Sequence, residues 1–489
     1  MKEFHFPREI RELIKEALPQ DTAVFGQTPD LRNTFTPAGH SRALHPDAML
    51  VVGIRGAGKS FWWTVLQREE HRQMIAHLMP KSGIKEGTKV SVGFGERPSP
   101  DDYPGKDTLV QLTHQFDPRQ VWRTIALRQI IRGTARDPSL MARSWSDAVR
   151  WVVDHPEAVE RMLYEADQNL DREGDYHLIL FDALDRTADD WPTMLKIIRG
   201  LLQVLLEFRS YRRIRPKALV RPDHLEDANT ADFADSSKVL SQKVELRWPR
   251  NELYGLLWQY LGNEPGNGDL FREGCHRILG LSWDQYRGVW AVPEKLRIEE
   301  ENQRRVFHAI TGPWMGQDHR RGFPYTWLPN HLGDTGGQVS PRSFLAAIRY
   351  AAADSPRAEY PYSLYYESIK RGVQEASRIR VREMQEDYPW VDILMKPLSG
   401  LTVPCPFKDI AQRWEGNKIL DRLQNDIEQA AVKLPPAHLL GEGAEGVRHD
   451  LEILGVFERM RDDRVNMPDV YRVGYGLGRK GGVKAVAKQ

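Results

Sequence analysis

The chain has 489 residues, with 69 basic against 68 acidic and a formal net charge of +1. That length supports two or three domains and a large core. The balanced charge excludes a global polyanion-binding surface, so any nucleic-acid contact must be local. The two cysteines, Cys275 and Cys405, fit no disulfide or metal spacing and suit a reducing cytosol. The start, M-K-E-F-H-F-P-R-E-I, lacks the apolar core of a signal peptide, and no run reaches the roughly eighteen apolar residues of a membrane helix. The expectation is a soluble, cytoplasmic protein with no membrane partner.

Residues 1–48 read as a helix around Arg8 to Leu18 followed by a polar lead containing Pro and Gly. Met49 to Val52 is a short apolar run, the pattern of a buried parallel strand. It ends at Gly53, which opens G-I-R-G-A-G-K-S, a match to the phosphate-binding loop at every position. The glycines let successive backbone N–H groups turn inward around a β-phosphate. Lys59 reaches the β- and γ-phosphates, and the Ser60 hydroxyl ligates Mg²⁺ at the start of the next helix. A bulkier residue at Gly58 would block that approach. The expected ligands are therefore ATP and Mg²⁺, bound through Gly53, Arg55, Gly56, Ala57, Gly58, Lys59, Ser60 and Phe61. Ser60 to Met79 has the apolar period of one helix, its N-terminus on the phosphates. The lead before the loop is of the kind that lies over an adenine ring. Lys81 to Lys106, rich in Gly, Pro and charge, reads as an insertion at about 81–106 with a single strand or hairpin at Lys89 to Phe94.

His177 to Asp185, H-L-I-L-F-D-A-L-D, carries the second half of an ATPase site. Leu178 to Phe181 is an unbroken apolar strand, and Asp182 falls at its carboxyl end, where ligands of open α/β sheets bind. Asp182 is the candidate Mg²⁺ carboxylate beside Ser60, and Asp185 the candidate base that orients water. Acidic residues early in a helix beginning at Thr187 to Asp190 are the ordinary alternative for Asp185. Lys217 to Val220 is a further strand with Arg221 at its end, positioned to sense a γ-phosphate or to serve as a plain surface arginine before Pro222. Lys243 to Trp248 reads as the last core strand. Strands alternating with helices give an α/β class with a parallel sheet.

Asn251 to Ala353 reads as a helical lid, interrupted around Gly262 to Gly268 and Gly333 to Gly337. Tyr362 to Asp387 is a charged helix whose Arg371, Arg378, Arg380 and Arg382 suit a solvated face of paired charges better than a phosphate site. From Phe407, helices and then a two-stranded wing around V-F-E-R-M and R-V-N-M-P suggest a winged-helix-like domain. Its helix V-R-H-D-L-E-I-L is only mildly basic, which leaves protein packing and DNA binding both open. The tail G-R-K-G-G-V-K-A-V-A-K-Q is basic and suits weak phosphate contact. The boundaries are then 1–48, lead; 49–250, ATPase core; 251–355, lid; and 356–489, charged helix, winged-helix-like domain and tail.

G-x-R-G-x-G-K-S with D-A-L-D-R resembles the STAND and KAP branch of P-loop NTPases within the AAA+-like group, whose second motif commonly reads D-D-L-D-R. Ala183 departs from it and removes one carboxylate. W-P-R-N-E-L-Y-G-L-L from Trp248 resembles the strand-to-lid junction of those proteins. Val339 to Leu345, V-S-P-R-S-F-L, resembles their second-sensor helix, which implies that Arg342 lies over the nucleotide. The resemblance implies an ATP-hydrolysing switch or assembly subunit that forms homo-oligomers, takes an arginine finger in trans and controls a separate effector protein. It also implies a place in a prokaryotic antiviral defence or mobile-element system. The alternative is a loader or initiator resembling origin-recognition ATPases, gripping DNA through the winged helix and tail. A small-molecule kinase shares the loop but has no use for the lid and winged-helix parts.

Overall fold

The computed structural model of the chain describes residues 4–20, 28–132, 138–226, 228–354, 359–429, 432, 434–479 and 483. Two compact units divide it: residues 26–29 with 38–247, and residues 1–25 with 30–37 and 248–489. The lead before the phosphate loop is thereby split between units, and most of the basic tail lies outside the described residues.

The first unit is built on a five-stranded sheet: β1 Leu50–Val52, β2 Lys89–Phe94, β3 His177–Phe181, β4 Ile214–Val220 and β5 Val244–Glu245, in the order β2-β3-β4-β1-β5. All its pairs are parallel. Unbroken Val, Ile and Leu runs form its centre because both faces are covered, and every residue of β1 and β3 is buried. Alternate side chains of β3 serve opposite layers. Leu178 and Leu180 join a cluster with Trp62, Val65 and Ile75, residues of the helices α1 Lys59–Leu66 and α2 Glu69–Leu78. On the other face, Phe181 meets Trp122 edge-on at 5.4 Å. Trp122 lies on α3 Pro118–Ile131 and donates its indole N–H to Ile197 O (2.8 Å) on α4 Trp191–Phe208.

Two expectations about this unit are corrected. The single helix expected from Ser60 to Met79 is broken, because Arg68 adopts extended backbone (φ −98°, ψ 126°) and Arg72 caps the first piece by donating to Leu66 O at 2.9 Å. Glu69 and Glu70 then open α2, where acidic residues suit the positive helix end. The Lys89–Phe94 strand, expected within an insertion, is the edge strand of the core sheet, paired from Lys89↔His177 to Phe94↔Phe181. The Lys217 ammonium, buried beneath β4, donates to Ala43 O and His45 O, both at 2.9 Å, and so fastens the segment that precedes β1.

The second unit is mostly helical. Phe6, Ile10, Leu13 and Ile14, from the N-terminal helix Ile10–Ala17 and the residues before it, share one apolar cluster with α5 Arg250–Gly262. Within that cluster Tyr254 stacks on Tyr325 at 4.3 Å. After α6 Gly268–Leu279 comes a hairpin that the helical pattern did not announce, β6 Asp284–Tyr286 and β7 Val289–Ala291. Its turn residues Arg287 and Gly288 both have positive φ (49° and 78°), as a tight hairpin requires. Helices α7 Pro341–Ala353 and α8 Tyr366–Asp387 follow.

The C-terminal part, read from the sequence as winged-helix-like, combines helices with a small sheet. Strand β8 Cys405–Pro406, helices α9 Phe407–Gly416, α10 Ile419–Glu428 and α11 Leu439–Ile453, and the hairpin β9 Glu458–Arg459 with β10 Arg464–Asn466 form it. Its sheet runs in the order β8-β10-β9 and is antiparallel. Helix α11 starts earlier than the Val447 to Leu454 reading and kinks at Gly443 (φ 59°, ψ −130°).

Candidate functional site

The residues between β1 and α1 turn back on themselves through left-handed backbone at Gly56 (φ 78°) and Gly58 (φ 96°). A Cβ at Gly58 would touch no protein atom within 4 Å, so what demands glycine there is the backbone conformation, not crowding by the protein itself. The loop is anchored by Gly53 N–H donating to Val220 O at the end of β4 (3.0 Å). Lys59 turns inward, its Nζ donating to Gly53 O (2.7 Å) and Ile54 O (3.1 Å). Burial pushes its pKa down to about 8, helped by the nearby Arg221 cation and opposed by Asp182, Asp185 and Asp223. Arg55 lies within the loop, and Phe61 follows it on α1, edge-on to Trp62 at 5.3 Å.

Asp182, at the carboxyl end of β3, is 5% exposed and lies in the electrostatic reach of Ser60 and Lys59. Burial pushes its carboxyl above the usual range, against the pull of Ser60 and Lys59. The topology alone brings these residues together, since β4 separates β1 from β3 and the loop and the aspartate emerge at the same edge of the sheet. A hydroxyl at a helix start and a carboxylate at a strand end suit Mg²⁺, a hard cation that keeps several waters and shares its shell with phosphate. Ser60 and Asp182 would hold it; bound there, it would neutralise charge on the transferring phosphoryl group. Among the described residues no cluster of three or more His, Cys, Asp or Glu is placed to hold a metal ion.

Asp185 lies on a single turn Leu184–Arg186 with its Oδ2 3.4 Å from an Arg221 amino group. Burial works to raise its pKa, but Arg221, His224 and Lys59 outweigh that, and the carboxyl sits below the usual range. Arg221, at the end of β4, also meets Asp223 at 3.2 Å. Arg342 belongs to the helical unit, where it stands in α7 and is ion-paired with Glu383 of α8.

Sequence reasoning missed two residues at this edge. His224, just beyond β4, is 1% exposed with neither ring nitrogen hydrogen-bonded, and it feels the charges of Asp223, Arg221, Asp185 and Lys59. Glu96 follows the end of β2 and is ion-paired with Arg186. The signal for Glu96 was present, a carboxylate at the carboxyl end of an apolar strand in K-V-S-V-G-F-G-E, as for Asp182. It was lost because that strand read as part of an insertion.

In the winged-helix-like part, Arg448 of α11 is 2% exposed and bonded to Glu452 (3.0 Å) and Asp463 (2.9 Å). Of the charged helix's arginines, Arg380 is buried against Glu383 and the Tyr471 hydroxyl, both at 3.2 Å, while Arg371 pairs with Asp354 and Arg378 with Glu375. No helix among the described residues is long and apolar enough to cross a membrane.

No family model matches the chain, and no curated protein matches it. Among solved structures it is similar to the ORC2 protein of Aeropyrum pernix, solved as ADPNP-ADP complexes, at 14% identity and a TM-score of 0.28, covering 88% of this chain and 86% of that chain. A TM-score of 0.28 assigns nothing. The fold class rests instead on the strand order and the elements themselves: a mixed α/β chain with a five-stranded parallel sheet, a glycine-rich loop and an aspartate at that sheet's carboxyl edge, and many helices.

Proposed function

We propose that the chain binds and hydrolyses ATP and uses the cycle as a switch or assembly device. The observation that carries this reading is the convergence of Lys59 and the buried Asp182 at the carboxyl edge of the sheet, where the glycine-rich loop leaves β1. Lys59 would leave the Gly53 and Ile54 carbonyls for the β- and γ-phosphates, the inward loop N–H groups would take the β-phosphate oxygens, and Ser60 and Asp182 would hold Mg²⁺. Arg221 supplies a cation near the γ-phosphate end, balanced by Asp185 and Asp223. Control of a separate effector in a prokaryotic defence or mobile-element system is the finer reading. It is supported by the D-A-L-D-R motif and by the lack of any nuclease or protease signature in the sequence.

The winged-helix-like part favours a protein-packing role over a DNA reader. Helix α11 carries Glu442, Glu445, Asp450 and Glu452 against Arg448 and His449, and Arg448 is consumed by Glu452 and Asp463. Homo-oligomers formed in the ATP state fit this better than loading onto DNA. Titration of a fluorescent ATP analogue with and without Mg²⁺, alongside phosphate release, tests the reading. Binding that survives Lys59→Ala unchanged would put the nucleotide elsewhere.

A further inference from the structure

We propose that Glu96 is the carboxylate that orients and deprotonates the attacking water, and that Asp185 instead restrains Arg221. This deepens the ATPase reading and rests on it. Strand β2 runs parallel beside β3 with Phe94 opposite Phe181, and Phe94 O accepts the N–H of Asp182 at 3.1 Å. The chain beyond Phe94 therefore emerges at the same edge as Asp182. It also emerges against the phosphate-loop helix: a Cβ at Gly95 would come 2.6 Å from Trp63 Cζ2, one turn along α1 from Lys59. Only glycine lets β2 approach so closely, and the next residue is Glu96.

The Glu96 side chain is 17% exposed and held by Arg186. It lies in the fields of Arg186, Asp185, Asp182 and the loop's own Arg55. The two other places for a catalytic carboxylate are filled differently. The residue after Asp182 is Ala183, in left-handed backbone at φ 56°. Asp185 is engaged by Arg221 and held below the usual carboxylate range, which makes it a poor proton acceptor. Burial instead raises the Glu96 carboxyl, in the direction a general base needs.

In the step this implies, the water oxygen forms a new bond to the γ-phosphorus while the bond from that phosphorus to the β,γ-bridging oxygen breaks. The electron pair leaves on ADP. The water proton passes to the Glu96 carboxylate and from there to solvent, and the products are ADP and inorganic phosphate.

The test uses the full-length chain. Glu96→Gln should bind Mg·ATP within about threefold of wild type, slow single-turnover hydrolysis by about a hundredfold or more, and retain ATP rather than ADP when the bound nucleotide is extracted and identified. Glu96→Asp keeps a charge facing Arg186 but sets it back by one methylene; it should melt with the wild type and still lose about tenfold in turnover. Asp185→Asn should stay within about tenfold of wild type in turnover. Turnover by Glu96→Gln within about threefold of wild type overturns the proposal, as does a hundredfold loss with retained ATP in Asp185→Asn alone. Failure of the ATPase reading looks different: wild type and Lys59→Ala would then be alike in neither binding nor hydrolysing ATP.

Discussion

The Arg221 guanidinium sits between two carboxylates, 3.4 Å from Asp185 and 3.2 Å from Asp223. Any attraction of a cation so neutralised for a γ-phosphate is offset by the charges that hold it. Removing one of them should release it. Asp185→Asn is expected to bind ATP several-fold more tightly than wild type while binding ADP about equally, measured by competition against a fluorescent analogue. Weaker ATP binding in that variant would show that Arg221 needs Asp185 in place more than it is inhibited by it.

Lys59→Ala should keep the fold, because it removes a cation held by loop carbonyls and opens no cavity in the apolar core. Saturating Mg·ATP should stabilise the wild type by roughly 2–4 kcal/mol and the variant by much less. Thermal melts with and without nucleotide measure both. An equal gain in the two proteins would exclude the loop as the binding site.

Asp182→Asn separates metal binding from folding. Burial of the Asp182 charge disfavours its ionised form, so the neutral amide should melt at or above the wild-type temperature without nucleotide. The Mg²⁺-dependent part of ATP affinity should nevertheless be lost. If Mg²⁺ strengthens ATP binding as much in the variant as in wild type, another residue holds the cation.

His40 gives the parallel-sheet unit a predicted acid sensitivity. Trp62 of α1 donates to its Nδ1 at 3.0 Å, while its Nε2 meets Arg247 O at 3.0 Å, an arrangement that requires the neutral ring with its proton on Nε2. Burial pushes its pKa from 6.5 down to about 4. The unfolded chain thus takes up a proton below about 6.5 that the folded chain refuses until about 4. Its contribution to stability is complete above 6.5 and is lost as the pH falls towards 4, by about 3 kcal/mol over that window. Denaturant midpoints at pH 7 and pH 4.5 should differ less for His40→Gln than for wild type. Equal differences would trace the acid sensitivity to other groups.

Arg342 tests assembly. Its partner Glu383 also binds Arg380, so Glu383 stays compensated when Arg342 is truncated and the fold should survive. If Arg342 reports nucleotide state, Arg342→Ala will bind ATP like wild type yet fail to form the oligomer that wild type forms with a non-hydrolysable ATP analogue. Sedimentation with and without duplex DNA reads this directly. An oligomer that appears only on DNA would favour the loader reading, and a monomer under every condition would leave the switch without its assembly step.

The parts of this protein legible in its sequence are those whose chemistry is written in consecutive residues. A phosphate loop must be contiguous, because neighbouring backbone N–H groups do the binding, and G-I-R-G-A-G-K-S declares it. Likewise the apolar run ending in Asp182 declares a doubly covered strand with a carboxylate at its mouth. What only the tertiary structure decided depends on pairing between distant segments. The six residues Lys89–Phe94 look alike as an isolated strand or a sheet edge, and their parallel pairing with His177–Phe181 made them the latter and brought Glu96 to the site. The break in the helix after Leu66 depended on where α2 packs, and the partners of Arg221, Arg342 and Arg448 on which carboxylates the fold delivered to them. An arginine's sequence neighbours say little about which charge it will meet, because its long side chain pairs with whatever acid the packing of other elements brings within reach.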